Sequence, residues 1–399
     1  MAGAAGPAYR DGNVLRWLAA YTLSVTGDVI CFLALSWAAT RVAGPAQAGL
    51  VVAVGALPRA VLMLGGGVLA DRLGPRPVAV AGDAVRCLTV LATAALIAAT
   101  APGLWLLVPF ALLFGIADAV LMPAVGAFPP RITGRDQLVR VQGMRGLSLR
   151  LSNAAGPAVA GTLLATGGAA GAFGVAGLLF AASCALLLAV RTTPAPAPAP
   201  SAPVSAWREL TDGLRYVRRH RALARLVTVI GLSEMCFSGP IALGLVLLAD
   251  ERGWGAAGTG WTASAFSVGA AVAALLLTVA GRLPRAGAAL VGALLLTAVA
   301  TAVLGRTPSL PVAAAAAAFT GLGSGITMTL TGALLQTTTD PHRLGRVTSI
   351  TTLATVGLAP LLFPLVGLVA GAWGAEAVFS LAAALTSLAA ALAARPGAR

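Results

Sequence analysis

Six ionisable residues stand inside stretches that are otherwise apolar: Asp28, Arg59, Asp83, Arg86, Asp118 and Glu234. An ionised side chain surrounded by hydrocarbon costs several kcal/mol unless a partner or water compensates it, so each is a candidate for function. Asp28 lies about a dozen residues beyond Arg16, roughly 18 Å along a helix at about 1.5 Å per residue, which is mid-bilayer depth. A carboxyl group there can hold a proton when dry and release it when water or an arginine reaches it, the chemistry of a proton carrier. The competing reading is a fixed ion pair that holds the fold. Glu234 occupies the matched position of the second half and is a candidate for proton or substrate binding.

Arg59 is deep enough to neutralise Asp28 or to bind an anionic group of a substrate, and equally to serve as the structural partner of a buried acid. Asp118 has no evident partner nearby in sequence, which makes it a further coupling candidate. Asp83 and Arg86 are spaced i, i+3 and share a helix face. They are expected to form a local pair close to the cytoplasm, joined to the loop that contains Asp71 and acting as a conformational latch.

These residues need a membrane around them, and the composition supplies one. Of 399 residues 58% are hydrophobic and 10% charged, with mean hydropathy +0.90, whereas soluble domains carry about 25% charged residues. Apolar runs long enough to cross a bilayer recur throughout, and the predicted spans are 14 to 40, 46 to 70, 77 to 99, 103 to 126, 144 to 167, 170 to 190, 224 to 249, 259 to 281, 286 to 305, 310 to 334, 347 to 371 and 374 to 394. The fifth and sixth are nearly continuous in hydropathy, so a single broken segment and a hairpin are both open. The first span follows charged residues and is too long for a signal sequence, so it is expected to stay in the membrane.

With the N-terminus inside, most arginines fall in cytoplasmic segments, including Arg10, Arg16, Arg72, Arg76, the cluster Arg131 to Arg150, Arg191 and the cluster Arg208 to Arg225. Only Arg41, Arg252 and Arg306 fall outside. This bias predicts a cell-membrane protein with both termini cytoplasmic. Residues 192 to 206 form a Pro/Ala linker, and 207 to 225 place Trp207, Leu210, Leu214 and Val217 at helical spacing among arginines, as in a helix lying on the inner face. The expected organisation is a six-helix bundle at 1–191, a linker with amphipathic helix at 192–223 and a second six-helix bundle at 224–399. A common offset of 206 residues relates Asp28 to Glu234, Arg140 to Arg346 and Gly161 to Gly367 (234 − 28, 346 − 140 and 367 − 161), which supports duplication.

Several classes are excluded or left without support. The net charge of +14 comes entirely from arginines dispersed between apolar runs, so nucleic-acid binding is not indicated. Cys31, Cys87, Cys184 and Cys236 lie singly in apolar stretches and His220 and His342 in loops, so neither a metal, a cofactor nor a disulfide framework is expected. A chain without lysine cannot carry a phosphate-binding Gly-x-x-x-x-Gly-Lys loop, and no catalytic cluster indicates an enzyme.

The segment Gly67-Val-Leu-Ala-Asp71-Arg72-Leu-Gly74-Pro75-Arg76 ends the second span in a tight turn with both signs of charge at the boundary. Its spacing resembles the G-x-L-a-D-R-x-G-R-R signature of the major facilitator superfamily. The resemblance covers nearly the whole chain and is similar to proton-coupled exporters of the drug-efflux and enterobactin-exporter type. It implies an all-α fold of twelve transmembrane helices in two six-helix bundles around a central cavity. Gly67, Asp71, Arg72, Gly74 and Arg76, with Asp83 and Arg86, would form its conformational latch. The fifth-span segment Asn153-Ala-Ala-Gly156-Pro157-Ala-Val-Ala-Gly161 is similar to the family's antiporter motif; a packing kink without directional meaning is the other reading.

Two departures stand out. Pro75 replaces the first basic residue of the family's pair, and the fourth span, Phe114-Gly115-Ile-Ala-Asp118, lacks the arginine that many members place there. The resemblance implies efflux of a small lipophilic or siderophore-like molecule against protons, by a monomer in the lipid bilayer. A facilitator or symporter importing a small nutrient is the alternative, and a non-transporting membrane receptor a more distant one. Phe32, Trp37, Phe110, Phe114, Phe266, Phe319 and Phe363 are read as packing or interfacial aromatics, with cavity lining the alternative.

Overall fold

In hydrocarbon each backbone N–H and C=O must be satisfied within its own segment, which selects helices for a chain this apolar. A computed structural model describes residues 8–134, 137–192, 214–280, 285–339 and 359–394, with 347, 350, 351, 355 and 357 between the last two, and among them every regular element is helical. The chain divides into two compact units, Met1–Ala43 with Val54–Ser201, and Gly44–Ala53 with Ala202–Arg399.

The first unit contains α1 (Gly12–Val42), most of α2 (Pro45–Leu73), α3 (Pro75–Ala99) and α4 (Leu104–Gly126). Asp11 caps α1 by accepting from the Asn13 amide at 2.8 Å. Gly74, at φ 86°, makes the turn between α2 and α3, and Pro75 opens α3 where a missing N–H costs nothing. After a single turn at Pro129–Ile132, the long helical stretch Leu138–Ala189 is broken at Gly168, whose φ of 60° and ψ of −164° no right-handed helix contains.

Contacts with α1 show that this break is a full reversal. Ser152 Oγ lies 3.3 Å from the Thr22 carbonyl and Ser183 Oγ lies 2.9 Å from the Ala20 carbonyl. A continuous helix would separate those two serines by about 46 Å. Residues 138–167 (α5) and 169–189 (α6) are therefore antiparallel, and the hairpin reading of the fifth and sixth spans holds. Trp17 anchors one end of the unit in a cluster with Val14, Phe128, Val141 and Val190. At the same end Asn13 exchanges two hydrogen bonds with the Arg191 backbone, at 2.7 and 2.8 Å.

The second unit begins, among the described residues, with a short helix at 214–219 and continues through α7 (Arg221–Glu251), α8 (Gly255–Ala280), α9 (Ala286–Arg306), α10 (Leu310–Thr338), α11 (Ala359–Trp373) and α12 (Ala375–Ala394). Pro240 lacks an N–H for the ladder, and α7 adapts by widening to a π-turn over Pro240–Gly244, with the Leu245 amide reaching back to the Pro240 carbonyl. At the end of the unit where α7 meets α8, polar groups fasten three turns together. Glu251 accepts from the Ala375 amide at 2.8 Å, Glu376 lies 3.7 Å from Arg252 and 3.5 Å from Arg306, and Arg252 donates to the Gly305 carbonyl at 3.0 Å.

Nine helical stretches among the described residues are long and apolar enough to cross a membrane, one of them the α5–α6 pair. Most of the predicted linker and amphipathic segment lies outside the described residues, as do positions 348, 349, 352–354, 356 and 358 of the predicted span 347 to 371.

Candidate functional site

Five of the six charged residues that the sequence places in apolar helices converge in the first unit. They come from four helices, with a fifth adding neutral partners: Asp28 from α1, with Ser24 one turn before it; Arg59 from α2; Asp83 and Arg86 from α3; Asp118 from α4; Ser183 and Phe180 from α6. Arg86 is the centre. Its side chain is 1% exposed and pairs with Asp28, with Asp83 at 3.7 Å and with Asp118 at 3.8 Å. Its guanidinium also stands 4.3 Å from the Phe180 ring centroid and 5.3 Å from that of Phe114. These ring faces attract the cation and offset part of the cost of Nε, which finds no acceptor.

The three acids differ in how firmly they are held. Asp83, 1% exposed, accepts from Ser24 Oγ at 3.1 Å and Ser183 Oγ at 2.5 Å in addition to facing Arg86, so it is tied to three elements at once. Asp118 is 10% exposed and lies between Arg86 and Arg59, the latter at 3.4 Å. Asp28, at 32%, has the most open carboxylate. Arg59 is the more open of the two cations, at 44%. Its Nε meets Asp118 as an ion pair without hydrogen-bond alignment.

Two close helix approaches set this geometry. A methyl on Gly115 would fall 2.1 Å from the Gly55 carbonyl oxygen, so α2 and α4 touch backbone to backbone one turn from Arg59 and Asp118. A methyl on Gly156 would fall 2.8 Å from Val29 Cγ1, which brings α5 against α1 beside Asp28. Pro157 and Gly161 are buried on the same helix.

The structure narrows two sequence expectations, Arg59 as structural partner of a buried acid and Asp118 without a local partner, and corrects a third, the depth of the Asp83–Arg86 pair. Arg59 pairs with Asp118 rather than with Asp28, because the Gly55–Gly115 contact brings α2 to α4 at that level. Asp118 does have partners, both arriving from other helices. The Asp83–Arg86 pair exists, but its arginine is shared with Asp28 and Asp118. Arg86 stands eleven residues into α3 (86 − 75 = 11), roughly 16 Å from its start and far from a boundary turn. Arg76 donates to the Leu188 carbonyl at 2.6 Å and to that of Leu187 at 3.4 Å, completing the end of α6. Gly67, Asp71 and Arg72 lie in the last turns of α2; the Asp71 and Arg72 side chains lie outside the described residues.

Glu234 stands apart on α7. It accepts a hydrogen bond from Ser238 one turn on and has no ion pair among the described residues. Sequence reasoning missed Ser24, Ser183 and Phe180. Ser24 was within reach, one helical turn from Asp28 on the same face, whereas nothing local marks Ser183. Phe110 and Phe114 pack with Phe173 and Phe180 around this site, while Phe319 and Phe32 are exposed. Among the described residues no group of three His, Cys, Asp or Glu side chains is placed to hold a metal ion.

A polytopic all-helical protein that gathers acids and arginines inside one compact unit has the features expected of a membrane transporter. The sequence profile of the Major Facilitator Superfamily matches residues 17–283 and 240–397, and the chain belongs to that family. It is 27% identical over 392 residues to the "Multidrug efflux pump Tap" of Mycolicibacterium fortuitum, covering 93% of this chain and 92% of the relative. It is also 27% identical over 314 residues to the "Enterobactin exporter EntS" of Escherichia coli O139:H28, covering 77% and 72%. Its fold is shared with a bacterial homologue of the human lysosomal transporter Spinster in an inward-facing, unoccupied conformation, with TM-score 0.72, 15% identity and 96% of each chain covered. A bacterial homologue of ferroportin in an inward-facing state gives TM-score 0.69 at 15% identity, over 97% of this chain and 99% of the other. The protein is a multi-pass membrane transporter of the superfamily, and its family and relatives move small molecules.

Proposed function

We propose that the chain is a proton-coupled exporter of a small lipophilic, drug-like or siderophore-like molecule. It works by alternating access of two six-helix halves, as a monomer with twelve crossings and both termini in the cytoplasm. The observation that carries this reading is the charge count of the cluster, in which, among the described residues, Asp28, Asp83 and Asp118 face only Arg59 and Arg86. Three carboxylates against two guanidiniums leave one negative charge, and one bound proton makes the set neutral. Neutrality is strongly favoured inside low-dielectric surroundings, so the cluster has a place for a proton that water can deliver or remove.

Asp28 is the proposed carrier because its carboxylate is the most open, while Asp83 serves as the anchor that orients Arg86. Asp118, shared between the two arginines, relays the change from Asp28 to Arg59, which faces the substrate. Glu234 is a secondary site for proton or substrate. The turn from Gly67 to Arg76 is the proposed latch, with Arg76 joining it to α6. Export is favoured over import by the Gly156-Pro157 segment and by the two relatives, one named as an efflux pump and one as an exporter.

The test is purified protein in vesicles with an acidic lumen, with a lipophilic dye and a catecholate siderophore as alternative cargos. Cargo should collapse the proton gradient, and Asp28→Asn should abolish this while leaving the protein folded. Proton and cargo moving in the same direction would instead establish a symporter, and binding without flux a receptor. A folded Asp28→Asn protein with undiminished proton movement would remove Asp28 from the mechanism.

A further inference from the structure

We propose that Arg215, Arg218, Arg219 and Arg221 form a docking surface for the headgroups of anionic phospholipids. All four are exposed, and among the described residues none has an ion pair or hydrogen bond. Arg252 and Arg306, at the other end of the same unit, meet Glu376. The segment 207–225 holds six arginines against Glu209 and Asp212, a surplus of four positive charges in the sequence (6 − 2 = 4).

The surface is built rather than dangling. Val217 is buried in a cluster with Leu223, Leu335, Val347 and Ile350, and Tyr216 packs against it. The Tyr216 and His220 rings lie 4.2 Å apart, and His220 Nδ1 lies 2.9 Å from the Tyr216 carbonyl. The short helix 214–219 is thereby fixed to the end of α7, with His220 in an extended conformation marking the corner.

Position selects the partner. The candidate membrane span begins at Arg221, so the preceding arginines lie at the edge of the hydrocarbon, within the polar layer about 5–8 Å thick where phosphates reside. A guanidinium presents paired donors that match phosphate oxygens, and its aliphatic stem lies comfortably along the apolar boundary. A row of such groups at this depth attracts anionic over zwitterionic lipid.

The full chain, reconstituted in phosphatidylcholine vesicles, is tested with spin-labelled phosphatidylglycerol and spin-labelled phosphatidylcholine, reading the fraction of each lipid immobilised on the protein. One arginine near a membrane surface is worth about a five-fold change in attraction, so replacing all four by glutamine should lower the preference for phosphatidylglycerol by at least about ten-fold. The pair Arg218→Gln/Arg219→Gln should lower it part way and serves if the quadruple variant does not fold. Preference unchanged in a folded variant would overturn the proposal. So would its loss on adding inorganic phosphate at constant ionic strength, which would assign the surface to soluble anions.

Discussion

The two units handle charge in opposite ways. The first carries Asp28, Arg59, Asp83, Arg86 and Asp118 deep within its helices, whereas the second keeps Glu251, Arg252, Arg306 and Glu376 at helix ends on one side and sets Glu234 beside a serine within α7. Exposed pairs are inexpensive fasteners worth about 0–1 kcal/mol. Buried ions cost several kcal/mol to desolvate and often stabilise less than apolar residues of equal volume would. The first unit thus carries an expense that packing alone does not justify, while the second meets its structural needs with small residues, such as Gly269 and Gly321 at the α8–α10 contact, and surface pairs.

The contrast predicts a ladder of effects. Arg86→Leu should be the most damaging substitution, because it strips three acids of their shared cation; a loss of about 3–5 kcal/mol is expected, read as thermal unfolding in detergent. A variant as stable as the parent would show that the acids are already neutral without Arg86. Next comes Gly115→Ala, whose methyl would meet the Gly55 carbonyl at 2.1 Å. Overpacking there should cost about 1–3 kcal/mol and, by shifting Arg59 from Asp118, reduce transport further than the stability loss explains.

Glu234→Gln sharpens the comparison between the units. It should lower proton flux only part way, as befits a secondary site, where Asp28→Asn removes it; equal losses would make the two halves functionally symmetric. The smallest effect is expected for Glu376→Gln, an exposed partner of Arg252 and Arg306, with less than about 1 kcal/mol lost and transport unchanged. A large loss of flux there would promote the end clasp from fastener to working part.

Much of this arrangement was open to reading from the chain itself. Long apolar runs can be little else than membrane helices, and Asp28 and Asp118 declare themselves because ionised groups in such runs are costly. Pairing was less legible, since it depends on which helices touch and at what rotation. Ser183 is 100 residues from the Asp83 it serves, and Arg59 reaches Asp118 through a contact made by two unremarkable glycines. The Gly168 reversal was half legible: the predicted break between 167 and 170 falls on it, but hydropathy registers polar turns and this one is apolar on both sides, so a hairpin and a single broken segment both stayed open.

That apolar reversal has a consequence for biogenesis. No charged residue lies between Arg150 and Arg191, so the intervening forty positions (191 − 150 − 1 = 40) offer the insertion machinery no polar stop at which to pause. They should enter the bilayer as one prefolded finger, and an epitope tag or protease site placed at the Gly168 tip would burden that passage more than one placed at any hydrophilic turn.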